Sequence, residues 1–346
     1  MKRKSLLLSL FMMSAYAYAQ ENASGVEISG SADAYYKYDF ANGENIKTYF
    51  GNDHNSISLG MISLGLKKST GKASFVGELS FGPRGQYQSL LNGDGESANE
   101  SNSFHIQNIY MDYTFTDKFS MTAGFMGTFV GLEVISPAAN FHYSTSYLFG
   151  AGPFQNAGIK GTYAFSDKVS LMAGIFNDWN NYKDLNGVSH FGAQLSLAPI
   201  EGLSIYANFL TGSAVGGEVN DQTGSLVDLV VGYDITEKFS LGLNAADYTL
   251  KRDGGYQGVA LYPKYNITEN VQIGARGEYF NTKDVGAVDG KSVTSLTLSG
   301  KLTHGGLSLI PEFRFDSDDS KPFLKSDFTT ATKSASQVSL ALVYAF

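Results

Sequence analysis

The chain has 346 residues, with 33 acidic and 25 basic side chains and a formal net charge of −8 at pH 7. This acidic balance argues against a nucleic-acid partner, which requires a basic face. The absence of cysteine excludes a disulfide framework and a thiolate metal site. The 39 Gly, 24 Phe and 21 Tyr residues fit strands and tight turns better than helices.

Residues 1–19 have the pattern of a secretory signal peptide. Residues 2–4 are basic, residues 6–13 form a predominantly apolar core, and residues 17–19 read Ala-Tyr-Ala, a small-x-small cleavage site. We predict that cleavage leaves residues 20–346 as a single domain. No later apolar run approaches the ~20 residues that a membrane-spanning helix needs. A membrane protein without such runs must be a closed β-barrel, because every backbone polar group in lipid needs a partner.

Alternating apolar and polar residues recur along the chain between short polar turns. A period of two residues is the pattern of one face of a β-strand, and runs of about 9 to 11 residues match tilted strands that cross a bilayer. An even number of strands places both chain ends on the side of the short turns. We predict sixteen strands, with fourteen and eighteen as alternatives, at 26–38, 55–66, 73–81, 104–115, 119–126, 157–165, 169–176, 189–198, 203–211, 225–235, 239–248, 256–267, 271–281, 292–302, 307–316 and 335–346.

The last predicted strand carries an apolar side chain at every second position and ends in Tyr344 and Phe346. Similar pairs of a tyrosine and a second apolar residue, such as Tyr113 with Phe115 and Tyr163 with Phe165, come directly before short polar turns. Aromatic residues at one level above short turns are typical of the interfacial girdle of a transmembrane β-barrel. The alternative is an antiparallel sheet in a soluble secreted protein.

Where the alternation is clean, one face of the predicted strands is apolar and the other is polar or charged. An apolar exterior with a polar interior predicts a transmembrane, antiparallel, up-and-down barrel that is wide enough to hold water. The strands predicted at 55–66 and 104–115 do not alternate cleanly, and their faces cannot be assigned. Charged side chains predicted to line the inner wall are Asp33, Glu78, Arg276, Glu278, Glu312 and Arg314.

The third long loop, residues 127–156, is apolar and aromatic, which is unusual for a loop in water. We predict that it folds into the barrel and narrows the pore, because irregular backbone at membrane depth is tolerated inside a barrel. Pro137 and Pro153 are expected to fix its corners. Side chains predicted to form the constriction are Glu133, His142, Tyr143 and Tyr147.

Two interpretations of the wall charges are open. Acidic and basic groups that face each other across a constriction would orient dipolar, hydrophilic solutes. Alternatively, Arg276 with Glu278 and Arg314 with Glu312 form local ion pairs on the wall. Arginine is scarce in the mature chain, so a phosphate-specific or anion-specific pore is disfavoured and a mild preference for cations is expected.

Residues 131–160, which include Ser-Pro-Ala-Ala-Asn-Phe-His-Tyr and Gly-Pro-Phe-Gln-Asn-Ala-Gly, resemble the signature region of OmpL-like outer-membrane β-barrel porins. The end of the signal peptide resembles those of Bacteroidetes, and the C-terminal Phe346 with Tyr344 resembles the signal read by the outer-membrane assembly machinery. The resemblance implies a passive diffusion channel in the bacterial outer membrane, in contact with lipid, that passes small hydrophilic solutes. A homotrimer is expected by analogy with other sixteen-stranded porins.

Other functions remain open from the sequence. They are a channel specific for sugars or peptides, a plugged barrel that acts as a surface adhesin, and an enzyme with its site at the rim. The five histidines fall in no recognisable nucleophile or metal pattern, so we expect no catalytic residue, metal or cofactor. The acidic clusters at 94–96 and 316–319 do not have the spacing of an EF-hand loop, and we interpret them as solvated loops.

Overall fold

The computed structural model of the protein describes residues 25–86, 104–184, 187–188, 190–212, 224–251 and 254–346. The predicted signal peptide and the acidic cluster at 94–96 lie outside the described residues. In the described part of the chain, sixteen antiparallel strands close into one barrel in which each strand pairs with its neighbours in sequence. The first and last strands pair with each other through Ser31 to Asp39 and close the barrel.

The barrel strands are β1 (Glu27–Asp39), β2 (Ile57–Thr70), β3 (Ala73–Phe81), β4 (Phe104–Thr116), β5 (Phe119–Gly127), β6 (Gln155–Ser166), β7 (Val169–Phe176), β8 (His190–Leu197), β9 (Leu203–Gly212), β10 (Gly224–Asp234), β11 (Phe239–Leu250), β12 (Gly255–Asn266), β13 (Val271–Thr282), β14 (Ser292–His304), β15 (Leu307–Asp318) and β18 (Ser334–Ala345). A small hairpin, β16 (Phe323–Leu324) with β17 (Ala331–Thr332), lies between β15 and β18. The helices within the described ranges are both short, α1 (Pro83–Gln86) and α2 (Tyr147–Ala151). The sixteen strands predicted from the alternation are confirmed, with ends that differ by a few residues.

The alternation along each strand separates an exposed apolar face from a buried polar face. In β15 the exposed side chains are Leu307, Leu309, Phe313 and Phe315, and the buried ones include Ser308, Glu312, Arg314 and Asp316. A soluble protein buries its apolar side chains and exposes its charges, so this distribution is inverted. It is the distribution of a barrel whose outer surface faces hydrocarbon.

Two strands without clean alternation in the sequence each contain or face a β-bulge. The β1–β2 register shifts between Ala32 and Ala34, and the consecutive residues Gly60 and Met61 are both buried. The extra residue reverses the parity of the strand, so that Ile57 and Leu59 are exposed before it and Ile62, Leu64 and Leu66 after it. A second shift, between Glu78 and Leu79, lies where β3 pairs with β4. The bulges explain why the faces of these strands could not be assigned.

The β1–β2 bulge also positions a buried carboxylate. The Met61 backbone N–H donates to Asp33 Oδ1 at 2.9 Å. The carboxylate occupies the space beside Gly60, where an added Cβ would lie 1.8 Å from Asp33 Oδ2. Glycine is therefore required at this position for Asp33 to keep its place on the inner wall.

The aromatic pairs lie on the outer surface next to the short turns, as predicted. Tyr113, Phe115, Tyr163 and Phe165 are exposed, and so are Tyr344 and Phe346 at the end of β18. The Phe346 backbone exchanges two hydrogen bonds of 3.0 Å with Gly30, which extends the β1–β18 pairing. The role of Tyr344 and Phe346 as an assembly signal stays a prediction. None of the helices among the described residues has both the length and the apolar character that crossing a membrane requires.

Candidate functional site: a loop held against the barrel wall

The segment between β5 and β6, residues 128–154, is here called the third loop. It contains α2, and most of its polar side chains are buried. Its hydrogen bonds reach β10, β11, β13, β14, β15 and β1. In the ring of strands, β13 lies eight positions from β5 in either direction, so the loop reaches the wall opposite its own strands. The partners belong to the buried, polar face of the barrel.

Arg276 on β13 makes the densest set of these contacts and is fully buried. Its Nη1 atom donates to Glu133 Oε1 at 2.7 Å and to the Ser144 carbonyl at 2.7 Å. Its Nη2 atom donates to the Thr145 carbonyl at 3.2 Å and to Thr297 Oγ1 at 3.1 Å. The planar fork of guanidinium donors suits such a cluster of acceptors, whereas a lysine could not reach all of them. Arg276 thus ties two parts of the third loop to the wall.

Arg314 on β15 contacts the Thr145 carbonyl and the aromatic ring of Tyr147 in the third loop. Its Nη1 donates to the Thr145 carbonyl at 2.7 Å, and its Nε donates to Asp316 Oδ1 at 2.8 Å. The guanidinium carbon lies 4.9 Å from the centre of the Tyr147 ring, within cation–π range. The Tyr147 hydroxyl in turn donates to Asp316 Oδ2 at 2.6 Å. Arg314, Asp316 and Tyr147 therefore each contact the other two.

Glu278 on β13 caps the N-terminus of α2. It accepts the Tyr147 N–H at 3.1 Å and the Leu148 N–H at 2.8 Å. The first N–H groups of a helix have no intrahelical partner, so a carboxylate at this end satisfies donors that would otherwise be buried without one. The Ser146 hydroxyl accepts the Phe149 N–H at 2.9 Å and donates to Glu133. The start of α2 is therefore fixed from the wall and from within the loop.

Glu312 on β15 accepts two further N–H groups of the loop, Tyr143 at 3.0 Å and Ser144 at 3.3 Å. It also accepts the Ser299 hydroxyl at 2.9 Å, and Ser299 Oγ lies 2.7 Å from His142 Nδ1. Burial, together with the charge of Arg276, lowers the pKa of His142 well below its usual range. His142 is therefore neutral at pH 7 and acts as a hydrogen-bonding group rather than a charge.

Asp33 on β1 connects the tip of the loop to an arginine outside it. The Tyr143 hydroxyl donates to Asp33 Oδ2 at 2.7 Å, and Arg84 Nη2 lies 4.0 Å from the same oxygen. The Arg84 guanidinium stacks over Phe50 at 4.3 Å and over Tyr143 at 5.1 Å, and it donates to the Ile135 carbonyl at 3.2 Å. Arg84, in α1, was not among the predicted wall residues.

The wall formed by β3 to β6 differs from the wall that holds the loop. Glu78 is half-buried and accepts a hydrogen bond of 2.6 Å from the Asn108 side-chain amide on β4 rather than from the third loop. Asp112 accepts the Thr122 hydroxyl at 2.6 Å, and Lys160 lies beside Thr122 in the pairing of β5 with β6. Asp112 and Lys160 are half-buried. Neither residue was predicted from the sequence, and for Asp112 the reason is the uneven alternation of β4.

The predicted site residues thus fall into two groups. Glu133, His142, Tyr143, Tyr147, Asp33, Arg276, Glu278, Glu312 and Arg314 join in one buried network between the third loop and the wall. Glu78 lies apart from it. Neither local pair proposed from the sequence is formed, because Arg276 pairs with Glu133 and Arg314 pairs with Asp316. The prediction that the loop folds inward and narrows a pore stays a prediction, which these contacts support.

The acidic cluster at 316–319 does not converge on one point. Asp316 pairs with Arg314, and Asp318 accepts the Ser320 N–H at 2.7 Å. Asp319 is exposed and pairs with Lys333 at 2.7 Å, which lowers its pKa. Each carboxylate has its own partner, so this cluster offers no shared position for a cation.

The fold defines the class to which the protein belongs, a porin-type β-barrel with an apolar outer surface. A family model described as "Putative beta-barrel porin-2, OmpL-like" matches residues 25–346, and the chain belongs to this family. A comparison with curated proteins gave no match.

Several solved porin-type structures are similar in fold. The anion-selective porin of Comamonas acidovorans is 12% identical with a TM-score of 0.62, covering 93% of this chain and 99% of that one. Salmonella typhi OmpF in complex with daunomycin is 11% identical with a TM-score of 0.62, covering 94% and 99%. The trimer form of OmpT, an outer membrane protein of Vibrio cholerae, is 12% identical with a TM-score of 0.59, covering 94% and 100%.

Family membership and the closed sixteen-strand barrel together establish the general function. The protein is an outer-membrane β-barrel that forms a channel for small solutes. The OmpL-like resemblance inferred from residues 131–160 is confirmed. The Bacteroidetes origin stays a prediction.

Proposed function

We propose that the protein is a passive diffusion pore for small hydrophilic solutes, narrowed by the third loop. The observation that carries this proposal is the attachment of the loop to the opposite wall through Arg276 and Arg314. A loop held by two buried guanidinium groups keeps a fixed position, and a fixed position is what a size-selective constriction requires. Most of the hydrogen bonds from the loop to the wall reach the strands β10 to β15 and β1.

The open path then follows the wall of β3 to β6. Its half-buried charges, Glu78, Asp112 and Lys160, are the ones that a passing ion meets. The arginines of the network are neutralised by paired carboxylates and are shielded by the loop. Two acidic groups and one basic group along the path favour cations modestly, because selectivity follows the charges that line the constriction.

The reversal potential under a salt gradient tests this selectivity. We expect the wild-type channel to prefer K⁺ over Cl⁻ by a small factor, and the Asp112→Asn channel to lose much of that preference. Asp117→Asn is the matched control, because Asp117 is exposed in a short turn outside the barrel wall. Clear anion selectivity of the wild-type channel, or equal changes in both variants, would contradict the assignment.

The proposed partners follow from the class of protein. We propose that the exposed apolar face contacts outer-membrane lipid, that the assembly machinery inserts the barrel, and that three copies associate. The last point is supported by the trimer form of the similar OmpT structure. Crosslinking in native membranes distinguishes a trimer from a monomer.

A specific facilitator for sugars or peptides is the second candidate. Phe149 of the third loop and Tyr49 of the β1–β2 loop are both partly exposed, and their rings lie 4.9 Å and 4.5 Å from the buried ring of Phe154. These two partly exposed rings would be available to stack on a sugar ring. Saturable block of ion current by a sugar would favour this reading over a general sieve. We further propose that the protein is not an enzyme and that the barrel is not a plugged adhesin, since family membership supports a channel.

A further inference from the structure

We propose that Asp178, Asp184 and His190 form a binding site for a divalent transition-metal ion of the zinc type. Asp178 and Asp184 lie in the segment after β7, and His190 is the first residue of β8. One ligand atom from each residue lies within 4.8 Å of the others. The site is on the rim of the barrel and is separate from the network around the third loop.

The strongest evidence is the state of Asp178. Its side chain is fully buried, and neither carboxylate oxygen has a hydrogen-bond partner among the described residues. A buried carboxylate without a donor is costly, so it needs an opposite charge or a metal ion. Asp178 Oδ1 is directed towards His190 Nε2, and the two atoms are 3.5 Å apart.

That separation suits two ligands of one ion better than a hydrogen bond. Hydrogen bonds between nitrogen and oxygen are typically about 2.7–3.2 Å long. Two ligands bound tetrahedrally, each about 2.0–2.1 Å from a zinc ion, lie about 3.3–3.4 Å apart. An ion between the imidazole and the carboxylate would therefore fit with little movement of either group.

The fold also makes room for the imidazole. Gly212 at the end of β9 lies against His190, and an added Cβ at this glycine would lie 1.3 Å from His190 Cδ2. Gly212 has a φ of 123°, a conformation that favours glycine. Gly212 thus leaves room for the Cδ2–Nε2 edge of the imidazole, whose Nε2 lies 3.5 Å from Asp178 Oδ1.

The kinds of donor define the class of metal. Ca²⁺ and Mg²⁺ prefer oxygen ligands only, whereas an imidazole nitrogen with carboxylate oxygens suits Zn²⁺ and its neighbours in the first transition row. Three protein ligands leave one position for water. Asp184 Oδ2 also accepts a hydrogen bond from the backbone N–H of Asp178 at 3.3 Å. This hydrogen bond would hold the two carboxylate ligands in position relative to each other.

A bound ion would clamp the β7–β8 segment to the rim. That segment already contacts the end of the third loop, because Asn180 Oδ1 accepts the Phe154 N–H at 2.8 Å. The Tyr182 hydroxyl donates to the Ile106 carbonyl at 2.8 Å on β4. The metal would join β8 to these contacts and hold the segment at both ends.

The test is metal binding by the purified, folded full barrel after treatment with a chelator. We expect calorimetric titration with Zn²⁺ to show one site per chain, and Asp178→Asn and His190→Gln each to weaken binding at least tenfold. His304→Gln is the control, because His304 is exposed at the opposite end of the barrel. A variant is taken as folded if it resists unfolding by detergent at room temperature.

A second measurement remains decisive if the variants do not fold. Wild-type protein loaded with Co²⁺ should show visible absorption bands that one equivalent of Zn²⁺ abolishes. Absence of Zn²⁺ binding by the wild-type protein would mean that Asp178 and His190 form an ion pair only. Equal binding by all variants, or Co²⁺ bands that persist with Zn²⁺, would mean that the metal binds elsewhere. Each of these results overturns the proposal.

Discussion

Replacing Arg276 with alanine is expected to raise the single-channel conductance, add rapid fluctuations to the current, and lower the stability of the barrel. The substitution removes the charged partner of Glu133 and the donor to the Ser144 carbonyl, and it leaves the Thr145 carbonyl with Arg314 as its donor. Breaking a buried ion pair by removing one partner costs about 3–5 kcal/mol, because the other charge stays buried without compensation. Local release of the third loop is the lower-energy response, since the strands keep their own ladder of hydrogen bonds.

The measurement combines conductance in planar bilayers with equilibrium unfolding in urea. Lys283→Ala is the matched control, because Lys283 forms an ion pair of 2.6 Å with Asp247, whose side chain is exposed. Exposed pairs contribute about 0–1 kcal/mol, so this control should leave both readouts nearly unchanged. An Arg276→Ala channel with wild-type conductance and quiet current would show that the loop does not depend on this anchor.

The second large effect is expected on the outer surface. Leu298 lies near the middle of β14 and is 47% exposed. If this face meets hydrocarbon, Leu298→Arg should destabilise the barrel by about 2–4 kcal/mol, because a charge at the centre of the bilayer loses its water. Leu307 is similarly exposed but begins β15 at a short turn. At that interfacial level Leu307→Arg should cost only about 0–1 kcal/mol.

Reversible unfolding from lipid vesicles measures both free energies under one condition. The difference between the two substitutions is the informative quantity, because each replaces an exposed leucine with the same side chain. Equal costs at the two positions would indicate that the depth of the residue has no effect. The apolar face would then not lie in a bilayer of the expected thickness.

Most of the fold could be predicted from the sequence because alternation and short turns are local signals. The period of two residues assigned both faces of β15 and β18 correctly. It failed on β2, where Gly60 and Met61 both point inward at a bulge. A bulge adds one residue and reverses the parity, and no residue type marks its position reliably in a single sequence.

Nine of the residues predicted for the wall and the third loop join one buried network, but their pairing was not predicted, and their role in a pore stays a prediction. Residues two apart on a strand share a face, which suggested Arg276 with Glu278 and Arg314 with Glu312. The structure pairs Arg276 with Glu133 instead, because the third loop brings a carboxylate from far away in the sequence. Contacts of this kind depend on the path of a loop, and the spacing of residues in the sequence does not reveal that path.

The proposed metal site also could not be predicted from residue spacing alone. Asp178, Asp184 and His190 are spaced six residues apart, a regularity that could have drawn attention to them. The spacing matches no metal motif on a single element, since two ligands lie in a loop and one begins a strand. The three side chains come together where the segment after β7 meets the start of β8, beside Gly212.

Single-channel conductance of the purified, folded wild-type protein in a planar bilayer tests the central claim most directly. A water-filled channel predicts stable current steps that grow in proportion to the conductivity of the bulk salt solution. Sugars of increasing size, added to the solution, should stop reducing the current once they are too large to enter, which gives the width of the constriction. A barrel that is demonstrably folded and inserted but carries no current would contradict the account, because the third loop would then close the channel rather than narrow it.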